Sequence, residues 1–120
     1  MKTVLLVEDD MFISDMMETK LKQVGFNVVT EADGASVIAK LNEVKPDLIL
    51  LDLMLPNRHG FEILEEIRSL KEWATLPVII LSNENGTDVE TRARHLDAQY
   101  FFKAMTDISE MESIINQALA

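Results

Sequence analysis

Glu8 with Asp9, Asp52, Ser82 and Lys103 are the side chains of this sequence best suited to metal and phosphate chemistry. Clustered carboxylates supply the hard oxygen ligands that Mg²⁺ takes. An ionised aspartate can also act as a nucleophile and accept a phosphoryl group as an acyl phosphate. A serine hydroxyl can donate to a phosphoryl oxygen, and a lysine ammonium can neutralise its charge as a point cation. What unites these residues is their position, because each directly follows a short apolar run. Val4–Val7 leads into Glu8-Asp9-Asp10, Leu48–Leu51 into Asp52, Val78–Leu81 into Ser82, and Tyr100–Phe102 into Lys103. Runs of this length bounded by polar residues read as strands buried on both faces. Ligands of an open parallel sheet bind beyond the carboxyl ends of its strands, so the four ends should converge on one crevice.

The segments between the runs have helical period. Ile13, Met17, Leu21 and Val24 are spaced as one face of a helix, and Gly25 reads as its stop. Asn27–Thr30 reads as a further short strand. Asp33 can cap a second helix that carries Ile38 and Leu41 and ends before Lys45-Pro46. A loop from Leu53 to His59 precedes a third helix from about Gly60, with Ile63, Ile67 and Leu70 inward. Thr87-Asp88-Val89-Glu90 and Asp107-Ile108-Ser109-Glu110 have capping-box spacing and predict the starts of a fourth and a fifth helix. The fifth should bury Ile108, Met111, Ile115 and Leu119. The fourth offers only Val89, Ala93 and Leu96 inward and should be the most weakly held element. Five βα units without a linker predict a parallel sheet with right-handed crossovers and helices on both faces.

The 120 residues suit a single domain with a core of its own. Cysteine is absent, which excludes a disulfide framework and thiolate metal sites and fits a reducing cytoplasm. The N-terminal apolar run is cut short by three acids, so it is neither a signal peptide nor a membrane span. A formal net charge of −10 predicts a soluble chain that repels nucleic-acid phosphate, so direct DNA or RNA binding is not expected.

The commoner five-stranded doubly wound orders set the first and third strands side by side, ~4.8 Å apart. Asp9 and Asp52 would then be close neighbours, with Glu8 nearby, and three like charges would repel unless a cation sat among them. Each residue also has a plainer reading. Acids after a strand often only complement a helix dipole, as Asp10 should here. Asp52 could cap a loop, Ser82 could serve a turn, and Lys103 could be a solvated charge. His59 and His95 read as surface histidines rather than phosphocarriers, and Trp73 reads as covering the sheet edge. Four suitable residue types at four successive strand ends favour a shared site.

As a set, Leu5-Leu6-Val7-Glu8-Asp9-Asp10, Leu48-Ile49-Leu50-Leu51-Asp52-Leu53-Met54-Leu55-Pro56 with Gly60, Pro77-Val78-Ile79-Ile80-Leu81-Ser82 and Tyr100-Phe101-Phe102-Lys103 resemble the receiver domain of two-component response regulators, including its stand-alone chemotaxis type. The resemblance runs from Lys2 to about Ala118. It implies a flavodoxin-like α/β fold, a doubly wound five-stranded sheet of order 2-1-3-4-5 with five helices. Residues 1–120 would be a single receiver domain with no output domain, acting by protein contact unless cut from a longer chain.

By the same resemblance Asp52 is the phosphoacceptor. Asp9, Glu8 (mostly through water) and the backbone carbonyl of Met54 join Asp52 in holding Mg²⁺ or Mn²⁺. Ser82 and Lys103 contact the phosphoryl group. Tyr100 with Ser82 reports phosphorylation to a surface of the fourth helix, fifth strand and fifth helix, though Tyr100 also has a plain reading as an edge residue with a wet hydroxyl. The implied partners are a histidine kinase or histidine phosphotransfer protein and a downstream protein target, in the cytoplasm and without membrane insertion. Phosphorylation-linked homodimer formation belongs to the family's repertoire. Met54 and Glu84, each two residues past a site residue, are expected to overhang the acyl phosphate and tune its lifetime.

Three positions depart from the family pattern. Ala104 stands where proline usually follows the lysine, so the Lys103-Ala104 bond is expected to be trans, a cis non-proline bond costing ~2.5–4 kcal/mol. Asp97 stands where glycine often precedes the fifth strand, and aspartate tolerates the left-handed conformation better than most. Asn83 replaces a smaller residue after Ser82.

Other functions would need other residues. An aspartyl-phosphate phosphatase wants a second aspartate two positions after the nucleophile, where Met54 stands. A flavin binder wants a phosphate loop after the first strand, where three acids stand instead. A pseudo-receiver, an interaction module without phosphorylation, is the alternative that Ala104 and Asn83 keep open.

Overall fold

A computed structural model describes residues 1–83, 86–102 and 108–120 of the chain, without the side chains of Phe102 and Ile108. The strands are β1 (Thr3–Val7), β2 (Asn27–Glu31), β3 (Leu48–Leu51), β4 (Val78–Ser82) and β5 (Gln99–Phe102). The helices are α1 (Met11–Gln23), α2 (Val37–Val44), α3 (Gly60–Ser69), α4 (Thr87–His95) and α5 (Ile108–Leu119). The five strands form one parallel sheet in the order β2-β1-β3-β4-β5, the flavodoxin-like arrangement.

Strand alternation divides the core into two layers. Leu5, Val7, Ile49, Leu51, Val78 and Ile80 face α2 and α3, while Val4, Leu6, Leu48, Leu50, Ile79 and Leu81 face α1 and α5. Every residue of β3 and β4 is buried, so each aliphatic side chain there contributes about 1.5–3 kcal/mol by leaving water. That double burial is why the runs are continuously apolar rather than alternating.

Several helix ends follow the predicted chemistry. Asp10 caps α1, its Oδ1 accepting from the backbone N–H of Phe12 at 3.0 Å and of Ile13 at 3.1 Å. Gly25 then leaves the helix at φ 103°, and α2 stops at a left-handed Lys45 before Pro46. Asp97 takes the left-handed conformation at φ 58°, as the resemblance implies by setting it at a position where glycine is common.

Other expectations are corrected. Val24 ends α1 as an exposed residue, because the chain is already turning into Gly25. Asp33 caps a 3-10 turn, Gly34–Ser36, that precedes α2, rather than α2 itself. Thr87 is the first helical residue of α4 and not its cap; Gly86 holds that position without a side-chain bond. Met111 and Ile115 are buried as expected, but Leu119 is only half-buried near the chain end. Trp73 is buried in the core cluster of the α2–α3 layer, its indole N–H donating to Asn42 of α2 at 2.9 Å. Asp107, the predicted cap of α5, lies outside the described residues.

Candidate functional site

The β1–β3 pairing sets Val7 opposite Leu51, so the next residue on each strand, Glu8 and Asp52, leaves the sheet at the same level. The Asp52 amide donates to Val7 O at 3.1 Å and the Glu8 amide to Glu31 O at 3.0 Å, which fixes both backbones at the sheet's end. Glu8, Asp9 and Asp52 each bring one carboxylate oxygen into a group whose members all lie within 4.8 Å of one another. Glu8 is 4% and Asp52 6% exposed, whereas Asp9 is open to solvent. The cluster therefore has two buried members and one at its mouth. Three hard oxygen donors at this spacing suit Mg²⁺ or Mn²⁺, which keep waters on their remaining positions.

Asp52 is oriented from its own strand end. Its Oδ1 accepts from the Met54 N–H at 3.1 Å. Met54 is exposed, 58% accessible, while Leu53 beside it is fully buried. The Met54 loop closes where Gly60 N–H donates to Leu53 O at 2.9 Å. A Cβ on Gly60 would come within 2.7 Å of both Asp52 O and Leu53 Cα, so only glycine lets α3 start this close to the acid. His59 caps α3: its Nδ1 accepts from Phe61 N–H at 3.1 Å, and Glu62 returns to the His59 amide in a capping box. His59 is thus a partly exposed helix cap, and His95 is exposed.

Ser82 ends β4, fully buried, and pairs in register with Phe102, the residue before Lys103. Tyr100 pairs with Ile80, and its hydroxyl oxygen is buried rather than wet. Glu90 and Arg94 of α4 line a cleft with Ala98, Gln99, Tyr100 and Phe101. Lys103, Glu84 and the Lys103-Ala104 bond lie outside the described residues. Asn83 is exposed beyond Ser82.

Two features escaped the sequence reading. Arg68 of α3 donates to five backbone carbonyls: Leu96 at 2.7 Å, Leu76 at 2.8 Å, Asp97 at 3.1 Å, Ala74 at 3.3 Å and Trp73 at 3.4 Å. Burial pulls its guanidinium below the usual arginine range and Asp97 opposes the shift, yet arginine stays charged wherever proteins fold. The second is a contact between Asp33-Gly34 and the Met54 loop. Asn57 Nδ2 donates to Asp33 Oδ1 at 3.0 Å, and Gly34 N–H to Pro56 O at 3.1 Å. The Asn57 bond, with that from the Ala35 amide, lowers the Asp33 pKa from its ordinary value. Asp33 was legible only as a cap, and Gly34 only as its neighbour.

The model of the response regulator receiver domain matches residues 4–116, and the chain belongs to that family. It is 38% identical over 96 residues to the probable transcriptional regulatory protein TcrX of Mycobacterium tuberculosis, a match covering 80% of this chain and 39% of that protein. The chain spans about two fifths of the length of the curated relatives it matches. Among solved structures, the signal receiver domain of a DNA-binding response regulator from Colwellia psychrerythraea superposes with TM-score 0.89 at 28% identity, over 98% of this chain and 97% of that one. The Mn²⁺-bound form of response regulator Rcp1 superposes with TM-score 0.80 at 27% identity, over 99% and 90%. Among the described residues no helix is long and apolar enough to cross a membrane.

Proposed function

We propose that residues 1–120 fold as one receiver domain that takes a phosphoryl group onto Asp52 from a phosphohistidine of a histidine kinase or histidine phosphotransfer protein, in the cytoplasm. The observation that carries this reading is the convergence of Glu8, Asp9 and Asp52 at the adjoining ends of β1 and β3.

The three carboxylates, with the Met54 carbonyl, would hold Mg²⁺ or Mn²⁺. When bound, the ion offsets the carboxylate repulsion and the negative charge of the transferring group. The Asp52 oxygen not engaged by Met54 N–H attacks phosphorus. The O–P bond forms as the P–N bond to the donor imidazole breaks, and the imidazole leaves with the electron pair and takes a proton. Ser82 donates to a phosphoryl oxygen and Lys103 balances its charge. Hydrolysis later returns the free carboxylate, with Met54 and Glu84 tuning the access of water.

Ser82 then moves toward the phosphoryl group and Tyr100 turns with it. That changes the surface of α4, β5 and α5 presented to a downstream protein or a second copy of the chain. The net charge of −10 argues for a protein target rather than direct nucleic-acid contact by these residues. The chain would thus catalyse only its own phosphorylation and dephosphorylation.

Incubation with Mg²⁺ and a small acyl-phosphate donor, read by intact mass, tests the reading. One added phosphate is expected, absent without Mg²⁺ and absent in Asp52→Asn. No gain from either a small donor or a kinase would favour a pseudo-receiver, and turnover of a phosphate ester would favour a phosphatase.

A further inference from the structure

We infer that Gly34, with Asp33 and Asn57, is a positioning element for the metal site, clamping the Met54 loop from outside. The inference rests on the metal reading proposed above. Gly34 does not need glycine for its backbone angles, since only Gly25 and Gly86 among the described glycines have positive φ. It needs glycine for space. A Cβ there would meet Arg58 O at 2.5 Å and both Arg58 Cβ and Pro56 O at 3.0 Å. Two of those three atoms are backbone, which cannot swing aside as a side-chain tip can.

The contact is fastened at two points, at the glycine itself and at the residue before it. Gly34 N–H donates to Pro56 O at 3.1 Å, and Asn57 Nδ2 donates to Asp33 Oδ1 at 3.0 Å. Asp33 is in turn held by the Ala35 amide at 2.9 Å, so its acceptor oxygen is fixed before Asn57 reaches it. Asn57 sits at φ 68°, a left-handed position that Pro56 and Arg58 must accommodate. At its root the same loop is closed by Gly60 N–H on Leu53 O. Met54 lies between these two anchor points, one at 53/60 and one at 56–58. Its N–H is already spent on Asp52, so the remaining freedom of its backbone is set by how well the loop apex is held. Residues that touch no metal but orient its ligands typically change metal affinity by about 10- to 100-fold when replaced. The clamp belongs to that class and joins the β2–α2 connection, which carries no metal ligand, to the loop that does.

The test uses the whole chain and three variants. Gly34→Ala forces the loop apex outward. Asn57→Gly keeps the left-handed backbone but removes the amide donor. Asp33→Asn keeps an acceptor oxygen for both bonds and serves as the conservative control. Calorimetric titration with Mg²⁺ alone is expected to show about tenfold weaker binding in Gly34→Ala. Asn57→Gly should fall between that variant and wild type, and Asp33→Asn should stay near wild type. Phosphorylation by a small donor should return to the wild-type rate at saturating Mg²⁺, separating metal binding from chemistry.

Amide exchange of residues 53–60 in metal-free protein should quicken in Gly34→Ala and Asn57→Gly. A folded Gly34→Ala with unchanged Mg²⁺ affinity overturns the inference. If Gly34→Ala does not fold, unchanged affinity in Asn57→Gly does the same. If wild type binds no Mg²⁺, the function proposed above fails, and unaltered exchange in both variants would independently reject the clamp.

Discussion

The two flanks of the sheet's carboxyl edge are held by different physics. On the β1–β3 flank, strands buried up to their carboxyl ends run into acids whose backbones are bonded to neighbouring strands, and two glycines let loops approach to contact distance. On the α4 flank, Ala93 is the only buried residue of the helix, with Val89 and Leu96 half-buried. Polar contacts to α3 complete its attachment. Arg68 reaches the carbonyls at the α4 C-terminus, and Arg92 lies 4.5 Å from the centre of the Phe61 ring while bonding Glu65 at 3.0 Å. Apolar packing is dense and yields little, whereas polar contacts near the surface, the exposed Arg92–Glu65 pair above all, exchange with water more easily. The difference suits a rigid chemical end beside a surface that can shift.

Core removal on the first flank should have the largest effect. Leu51→Ala leaves a cavity under Asp52 and is expected to cost about 3–5 kcal/mol in urea unfolding. A loss under about 1 kcal/mol would mean that β3 does not carry the site as rigidly as its burial implies. Next comes Mg²⁺, which binds a cluster assembled only in the folded chain. At a hundredfold excess over its Kd it should add about 2.7 kcal/mol, seen as a raised Tm. A Tm indifferent to Mg²⁺ would count against the metal reading of Glu8, Asp9 and Asp52.

The second flank should respond more gently and more locally. Arg68→Ala strands several carbonyls and should cost about 2 kcal/mol, while Arg92→Ala should cost under about 1 kcal/mol. Both should speed amide exchange in α4 far more than in β1 or β3, and equal acceleration in all three would erase the contrast. The smallest effect concerns pH. Bonds from Asn57 and then Ala35 lower the Asp33 pKa, so its stabilisation is full above the unfolded aspartate value of about 3.9. It is lost as pH falls through the still lower folded value. Asp33→Asn should therefore flatten the acid limb of the stability profile, and an unchanged limb would show that the Asn57 bond does not form.

Which parts were legible follows from the range of the interactions involved. Buried parallel strands force continuous apolar runs, so β1, β3 and β4 could be read directly, and with them the places of Glu8, Asp9, Asp52 and Ser82. Asp10 was legible because capping depends on neighbours in the chain, and Asp97 through the resemblance, which sets it where the family often has glycine. The Arg68 contacts and the Gly34–Pro56 contact join residues more than twenty positions apart or backbone atoms that carry no sequence identity. Nothing in an isolated Asp-Gly pair or a helical arginine reveals them. The Trp73–Asn42 bond is hidden for the same reason, spanning 31 positions, whereas the His59 cap is local and went unread because histidine is an uncommon cap.

The central claim is that Asp52, and not another acid of the cluster, carries the phosphoryl group. Borohydride reduces an aspartyl acyl phosphate to homoserine, which peptide sequencing by mass spectrometry can locate. After phosphorylation in Mg²⁺, homoserine is expected at position 52 alone. Homoserine at Asp9, 2-amino-5-hydroxypentanoic acid at Glu8, or no reduction at 52 in a chain that has gained phosphate would contradict the account.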